Sequence, residues 1–166
     1  FDKFICFDIC EENIQTLNNN LKNKDVIYEV YKKACHPEKG KKISVYAHQD
    51  QKGSIEYFGN SGNVGIKLYS NNDNSGYFKE NKIDEIDSIT IEEIVEKYAD
   101  MKLLKIDIEG AEYDFLQDKD ISKIPYIVGE FHFDGKVRND LLVHISKTHN
   151  IIYHSAPVFC FKRRDL

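Results

Sequence analysis

The chain has 166 residues, 41% hydrophobic and 31% charged, with a net charge of −5. That suits a single domain with a buried core, and the acidic balance argues against a nucleic-acid surface, which leans on excess Lys and Arg. No run of about 18 apolar residues occurs, so no membrane-spanning helix is expected, and no signal peptide is evident.

The elements read as an α/β alternation at both ends. Phe4 to Phe7 (FICF) is a short apolar run closed by Asp8, the pattern of a strand buried on both faces. Glu11 and Glu12 follow, acids placed where a helix start favours them. Ile14, Leu17 and Leu21 then repeat at helical spacing. Val26 to Tyr31 (VIYEVY) is a second strand, rich in β-branched and aromatic residues. Residues 36 to 82 change character and read as a β-rich insertion or flap. His36-Pro37-Glu38-Lys39-Gly40 is a turn; Ile43 to Ala47, Ser54 to Phe58 and Val64 to Tyr69 are strand candidates around Gly- and Asn-rich turns.

From Asp87 the alternation returns. Thr90 and Glu93 have the spacing of a capping box, and Ile91, Ile94, Val95 and Tyr98 give the helix its apolar side. Leu103 to Ile108 is a strand, Gly110 a turn and Ala111 to Leu116 a helix start. Tyr126 to Phe131 is a further buried strand, and Val137 to His149 a helix with Leu141, Leu142 and Ile145 inward. Ile151 to Tyr153 and Val158 to Phe161 form a closing hairpin around Ala156-Pro157, and Lys162-Arg163-Arg164 is a solvated end. The expected architecture is a mostly parallel sheet with helices on both faces, in one domain spanning residues 1–166. Ligands then bind beyond the carboxyl ends of the strands, which points to Asp8, to Asp107 through Glu112, and to Glu130 through His132.

Asp107 stands where an apolar strand ends, and Gly110 permits a tight strand-to-helix turn. A carboxylate there can orient a substrate hydroxyl, accept its proton or hold a metal. Glu109 and Glu112 share the turn, although acids at a helix start need no further reason. Glu130, on the last turn of a buried strand, is costly unless paired or used. His132 is a candidate base near neutral pH. Asp8 matches the acid that receives ribose hydroxyls in nucleotide-binding α/β folds, although Asp is also a common turn residue. Gly59, Gly62 and Gly65 do not make a phosphate loop, because their spacing is GxxGxxG and no helix follows. The histidines lack metal-ligand spacing; His144 and His149 read as helix surface or helix end. The four cysteines, Cys6, Cys10, Cys35 and Cys160, show no CxxC pair and read as reduced thiols of a cytoplasmic protein.

KLLKIDIEGAEYDFL (102 to 116) followed by IVGEFH (127 to 132) resembles the hallmark of the FkbM-type methyltransferases. FDICEENIQTLNNNL (7 to 21), KKACHPEKGKKISVYAH (32 to 48) and DSITIEEIVEKY (87 to 98) are similar to further segments of that family, so the resemblance covers nearly the whole chain. It implies a Rossmann-like class I methyltransferase fold with a β-hairpin insertion. It implies transfer of a methyl group from S-adenosylmethionine to a hydroxyl of a sugar, lipid or secondary metabolite. Carried over by position, Asp8 binds the ribose hydroxyls, Ala34 borders the adenine and Asp107 faces the transferred methyl; Glu109, Glu130 and His132 line the acceptor pocket. Two departures stand out. FDI replaces the family's usual FEP at residues 7–9, and its first strand and glycine-rich loop belong upstream of Phe1, so an amino-terminally truncated chain is expected.

Two other readings of the residues remain open. One is a non-catalytic, methyltransferase-like binding module. The other is a divalent-metal-dependent hydrolase using Asp107, Glu109 and Glu112. Nucleic acid is not an expected partner, and an oligomer paired through an exposed hairpin is compatible with the pattern.

Overall fold

A computed structural model describes residues 3–49, 55–60, 82–132 and 135–166. The chain divides into two compact units: residues 1–34 with 40–88, and residues 35–39 with 89–166.

The first unit begins with a β-α-β arrangement. Strand β1 (Lys3–Asp8) leads into helix α1 (Glu11–Leu21), which returns the chain to β2 (Ile27–Lys32). β1 and β2 run parallel, with Phe4 opposite Tyr28 and Asp8 opposite Lys32. The expected stripe on α1 is present, with Ile14 buried and Leu17 and Leu21 half-buried. A second sheet, of order β3-β6-β4-β5, is assembled from β3 (Ala34–Cys35), β4 (Lys42–Gln49), β5 (Ile55–Asn60) and β6 (Lys82–Ile89). β4 pairs antiparallel with both β5 and β6. Ala34, Ile43, Val45 and Ile86 form its core, and Ile9 packs against them.

The hairpin character expected for residues 36–82 therefore holds in β4 and β5. The strand expected at Val64 to Tyr69 lies outside the described residues, as do Gly62 and Gly65. Gly59 lies in β5, opposite Val45.

In the second unit, the segment from Ile89 onward leads into α2 (Ile91–Lys97). Its capping box forms as the spacing predicts: Glu93 N–H donates to Thr90 Oγ1 at 3.2 Å and Thr90 N–H to Glu93 Oε2 at 3.1 Å. β7 (Leu103–Ile106), α3 (Glu112–Leu116), β8 (Tyr126–Glu130), α4 (Gly135–Ser146), β9 (His149–Ser155) and β10 (Val158–Arg163) follow. The sheet order is β7-β8-β10-β9. β7 and β8 are parallel, whereas β10 runs antiparallel to both β8 and β9. The core gathers Ile106, Phe115, Leu116, Ile124, Ile127, Phe131, Leu141, Ile145, Phe159 and Phe161, none more than 3% exposed. Burying a side chain of this size stabilises by roughly 1.5–3 kcal/mol, so this cluster fixes β7 and β8 firmly.

The architecture is thus α/β, but the described strands form mixed sheets rather than one mostly parallel sheet. Of the described strand pairs, β1-β2 and β7-β8 are parallel, whereas β4-β5, β4-β6, β8-β10 and β9-β10 are antiparallel. The cause is connection length. Short links such as Ala156-Pro157 between β9 and β10 return a strand antiparallel, whereas the parallel pairs β1-β2 and β7-β8 are each joined through a helix, α1 and α3. No described helix is long and apolar enough to cross a membrane.

Candidate active site

Five of the residues singled out above converge at the carboxyl ends of β7 and β8. Ile106 is buried at the end of β7 and Asp107 emerges from it. The chain then turns sharply, with Glu109 at φ +52° and Gly110 at φ +99°, before α3 begins at Glu112. Gly110 occupies the left-handed region without steric penalty. Glu109 does so with a Cβ, a strained conformation that concentrates at functional sites. Just past the end of β8, Phe131 turns inward against Phe159, with ring centroids 5.2 Å apart, and the alternation of side chains puts Glu130 and His132 on the other side. Phe131 N–H also donates to the Pro157 carbonyl at 3.0 Å, which fixes the backbone immediately before His132.

His132 is the hub. Its Nδ1 lies 2.9 Å from Glu112 Oε1, and its Nε2 lies 3.4 Å from Glu109 Oε2 and 3.7 Å from Glu130 Oε2. The ring is 21% exposed, Glu109 is 85% exposed and Glu112 is fully enclosed. Partial burial disfavours the imidazolium, but the hydrogen bond to Glu112 and the charges of Glu112, Glu109 and Asp107 outweigh it, so the His132 pKa is raised above that of an ordinary histidine. Asp107 makes one long ion pair, 3.7 Å to Lys105 Nζ, and stays exposed.

Glu112 has a larger part than its sequence position suggests. Its carboxylate folds back under the turn, where Oε1 accepts from Ile108 N–H at 3.1 Å and Oε2 from Gly110 N–H at 3.0 Å. It is therefore occupied by backbone amides and His132 and is not open to a cation. Asp107, Glu130 and His132 instead bring one donor atom each within 4.8 Å of one another. The one available signal for Glu112 was its spacing: a Glu two residues after a turn glycine can reach the amides it has just passed.

The remaining candidates belong to the first unit. Asp8 closes β1 half-buried; its Oδ1 accepts from Cys10 N–H at 2.8 Å and its Oδ2 from Asn13 Nδ2 at 3.2 Å. A carboxylate has about four acceptor positions, so Asp8 keeps capacity for a diol. Ala34 is 5% exposed, its side chain packed with Ile43, Val45 and Ile86.

His149 corrects a sequence expectation. It starts β9 rather than ending a helix and is fully buried. Its Nε2–H donates to the Ile124 carbonyl at 2.8 Å, while Nδ1 lies 2.7 Å from Thr148 Oγ1. His144 Nε2 meets the Lys119 carbonyl at 3.0 Å. Both are structural contacts away from the cluster.

A family model described as Methyltransferase FkbM domain matches residues 5–152. The chain belongs to the FkbM methyltransferase family. The match spans residues of both units and includes the turn that carries Asp107, Glu109 and Glu112. No curated protein and no solved structure matches the chain.

Proposed function

We propose that this protein is an S-adenosylmethionine-dependent O-methyltransferase acting on a hydroxyl of a sugar, lipid or secondary metabolite. The observation that carries this reading is His132, held through Nδ1 by the enclosed Glu112 and presenting Nε2 among Asp107, Glu109 and Glu130. When bound, the cofactor supplies a methyl group activated on a sulfonium.

The chain's own residues do the rest. Asp8 offers its free acceptor positions to the ribose hydroxyls. Ala34, whose side chain is taken up by its core, borders the adenine through its backbone. Asp107 faces the transferred methyl and accepts a hydrogen bond from a neighbouring hydroxyl of the acceptor, fixing the reacting oxygen for displacement, where alignment is worth most. His132 Nε2 takes the hydroxyl proton as charge develops. Glu109 and Glu130 receive neighbouring hydroxyls, which favours a polyhydroxylated acceptor.

The same reading extends to fold and setting. We propose a Rossmann-like class I methyltransferase domain over residues 1–166, supported by the two β-α-β arrangements with parallel strands, β1-α1-β2 and β7-α3-β8. A cytoplasmic setting is proposed on the four cysteines, none of which is in a disulfide.

The test is calorimetric titration with S-adenosylhomocysteine, followed by transfer of a labelled methyl group to a panel of hydroxyl acceptors, with and without a chelator. Binding and chelator-resistant transfer are expected. No binding heat at millimolar ligand would overturn the reading in favour of a binding module. Activity abolished by the chelator would favour a metal-dependent site.

A further inference from the structure

Glu112 is an ionisable side chain with no exposed surface, and helix formation does not require that. An acid in the first turn of a helix ordinarily keeps its carboxylate in water, where it still benefits from the helix start. Enclosing the charge is costly unless every lone pair finds a donor. Here Ile108 N–H and Gly110 N–H supply two donors from the turn, and His132 Nδ1, at 2.9 Å, is the third.

That third contact has a chemical consequence. An ionised carboxylate only accepts, so Nδ1 must carry the proton. A neutral His132 is then left with a bare lone pair on Nε2, the nitrogen that lies 3.4 Å from Glu109 Oε2 and 3.7 Å from Glu130 Oε2. Asp107 and Glu130 each have a carboxylate oxygen within 4.8 Å of the His132 donor nitrogen. Glu112 also ties together two segments that the chain separates. The turn carrying Asp107 and Glu109 and the strand end carrying Glu130 and His132 meet on one carboxylate.

We infer that Glu112 is a positioning residue, which fixes His132 as the Nδ1–H tautomer and aims Nε2 at the acceptor hydroxyl among Asp107, Glu109 and Glu130. The role deepens the methyl-transfer reading and depends on it only for its activity readout. Glu112 touches neither acceptor nor cofactor; it acts through the ring it holds.

Nitrogen-15 NMR of the histidine-labelled protein tests the tautomer directly, with the His132 resonances assigned by their loss in His132→Gln. At a pH where the ring is neutral, the expected pattern is a protonated Nδ1 and a bare Nε2. A protonated Nε2, or averaging of the two forms, overturns the inference, and this arm stands whether or not the protein transfers methyl groups.

The second arm is Glu112→Gln in the active protein. Its kcat is expected to fall about ten- to a hundredfold, with KM changed by less than about twofold. The acid limb of the kcat profile should move to lower pH, because the carboxylate that favours imidazolium is gone. A fall in kcat with the limb unmoved would make Glu112 structural only and overturn the inference. Should the variant fail to fold, the tautomer of the unaltered protein decides.

Discussion

A Cβ built on Gly129 would stand 2.5 Å from Ile106 Cγ2 and 2.6 Å from the Ile106 carbonyl oxygen. Ile106 is the register partner of Gly129 across the parallel pair and closes β7 immediately before Asp107. Only a residue without a side chain lets β8 lie this close to the strand end that bears the candidate site.

Gly129→Ala is therefore expected to force β7 and β8 apart, because one of the two contacts is backbone that cannot rotate away. The expected loss is roughly 1–3 kcal/mol, the usual cost of overpacking a tight core. Urea denaturation monitored by circular dichroism reads it. Methyl transfer should fall along with stability, since the shift separates Asp107 from Glu130 and His132. Unchanged stability would mean that the strands tolerate a wider spacing.

Asp107→Ala separates chemistry from folding. The side chain is exposed and its contact with Lys105 is long, so stability should change by no more than about 0.5 kcal/mol. Methyl transfer should fall by about a hundredfold or more, because a misplaced acceptor oxygen costs at least that much. A thermal melt and a labelled-methyl assay on the same sample read both. An Asp107→Ala protein that unfolds would make its role structural.

The turn at Glu109 permits a comparison in which both variants lack the carboxylate. Glu109 sits at φ +52°, where Gly is at ease and a β-branched residue is not. Glu109→Val should be less stable than Glu109→Gly by about 1–2 kcal/mol, by chemical denaturation. Any loss of activity common to the two belongs to the carboxylate, and any further loss in Glu109→Val belongs to the turn.

Much of this was legible in the residues because it is local. The Thr90–Glu93 box, the apolar runs of β1 and β8 and the Gly110 turn each declare themselves within a few positions. β6 was not legible. Lys82 to Ile89 (KIDEIDSI) carries too many charges to read as a strand, and it is held by pairing with β4, a relation between distant segments. Glu112 and His149 were misjudged for a related reason. Sequence gives a side chain's charge but not its burial, and both are enclosed by partners 20 to 25 residues away.

Those two enclosed contacts predict opposite pH dependences. The His132 pKa is raised in the folded protein, so its protonated form stabilises the fold. That contribution is complete below the unfolded value of about 6.5 and is lost as pH rises through the higher folded value. The His149 pKa is lowered, first because burial penalises the charged ring, with Arg163 adding to it against the Ile124 carbonyl. Its contribution is present above about 6.5 and is lost as pH falls from there through the folded value. Stability measured across pH 5 to 9, about one and a half units below and two and a half above the histidine midpoint of about 6.5, should show both. The advantage of the unaltered protein over His132→Gln should shrink as pH rises, and its advantage over His149→Gln should shrink as pH falls. Parallel curves for His132→Gln would mean that Glu112 and its neighbours do not hold a proton on that ring, whereas parallel curves for His149→Gln would mean that the ring titrates alike in folded and unfolded chains.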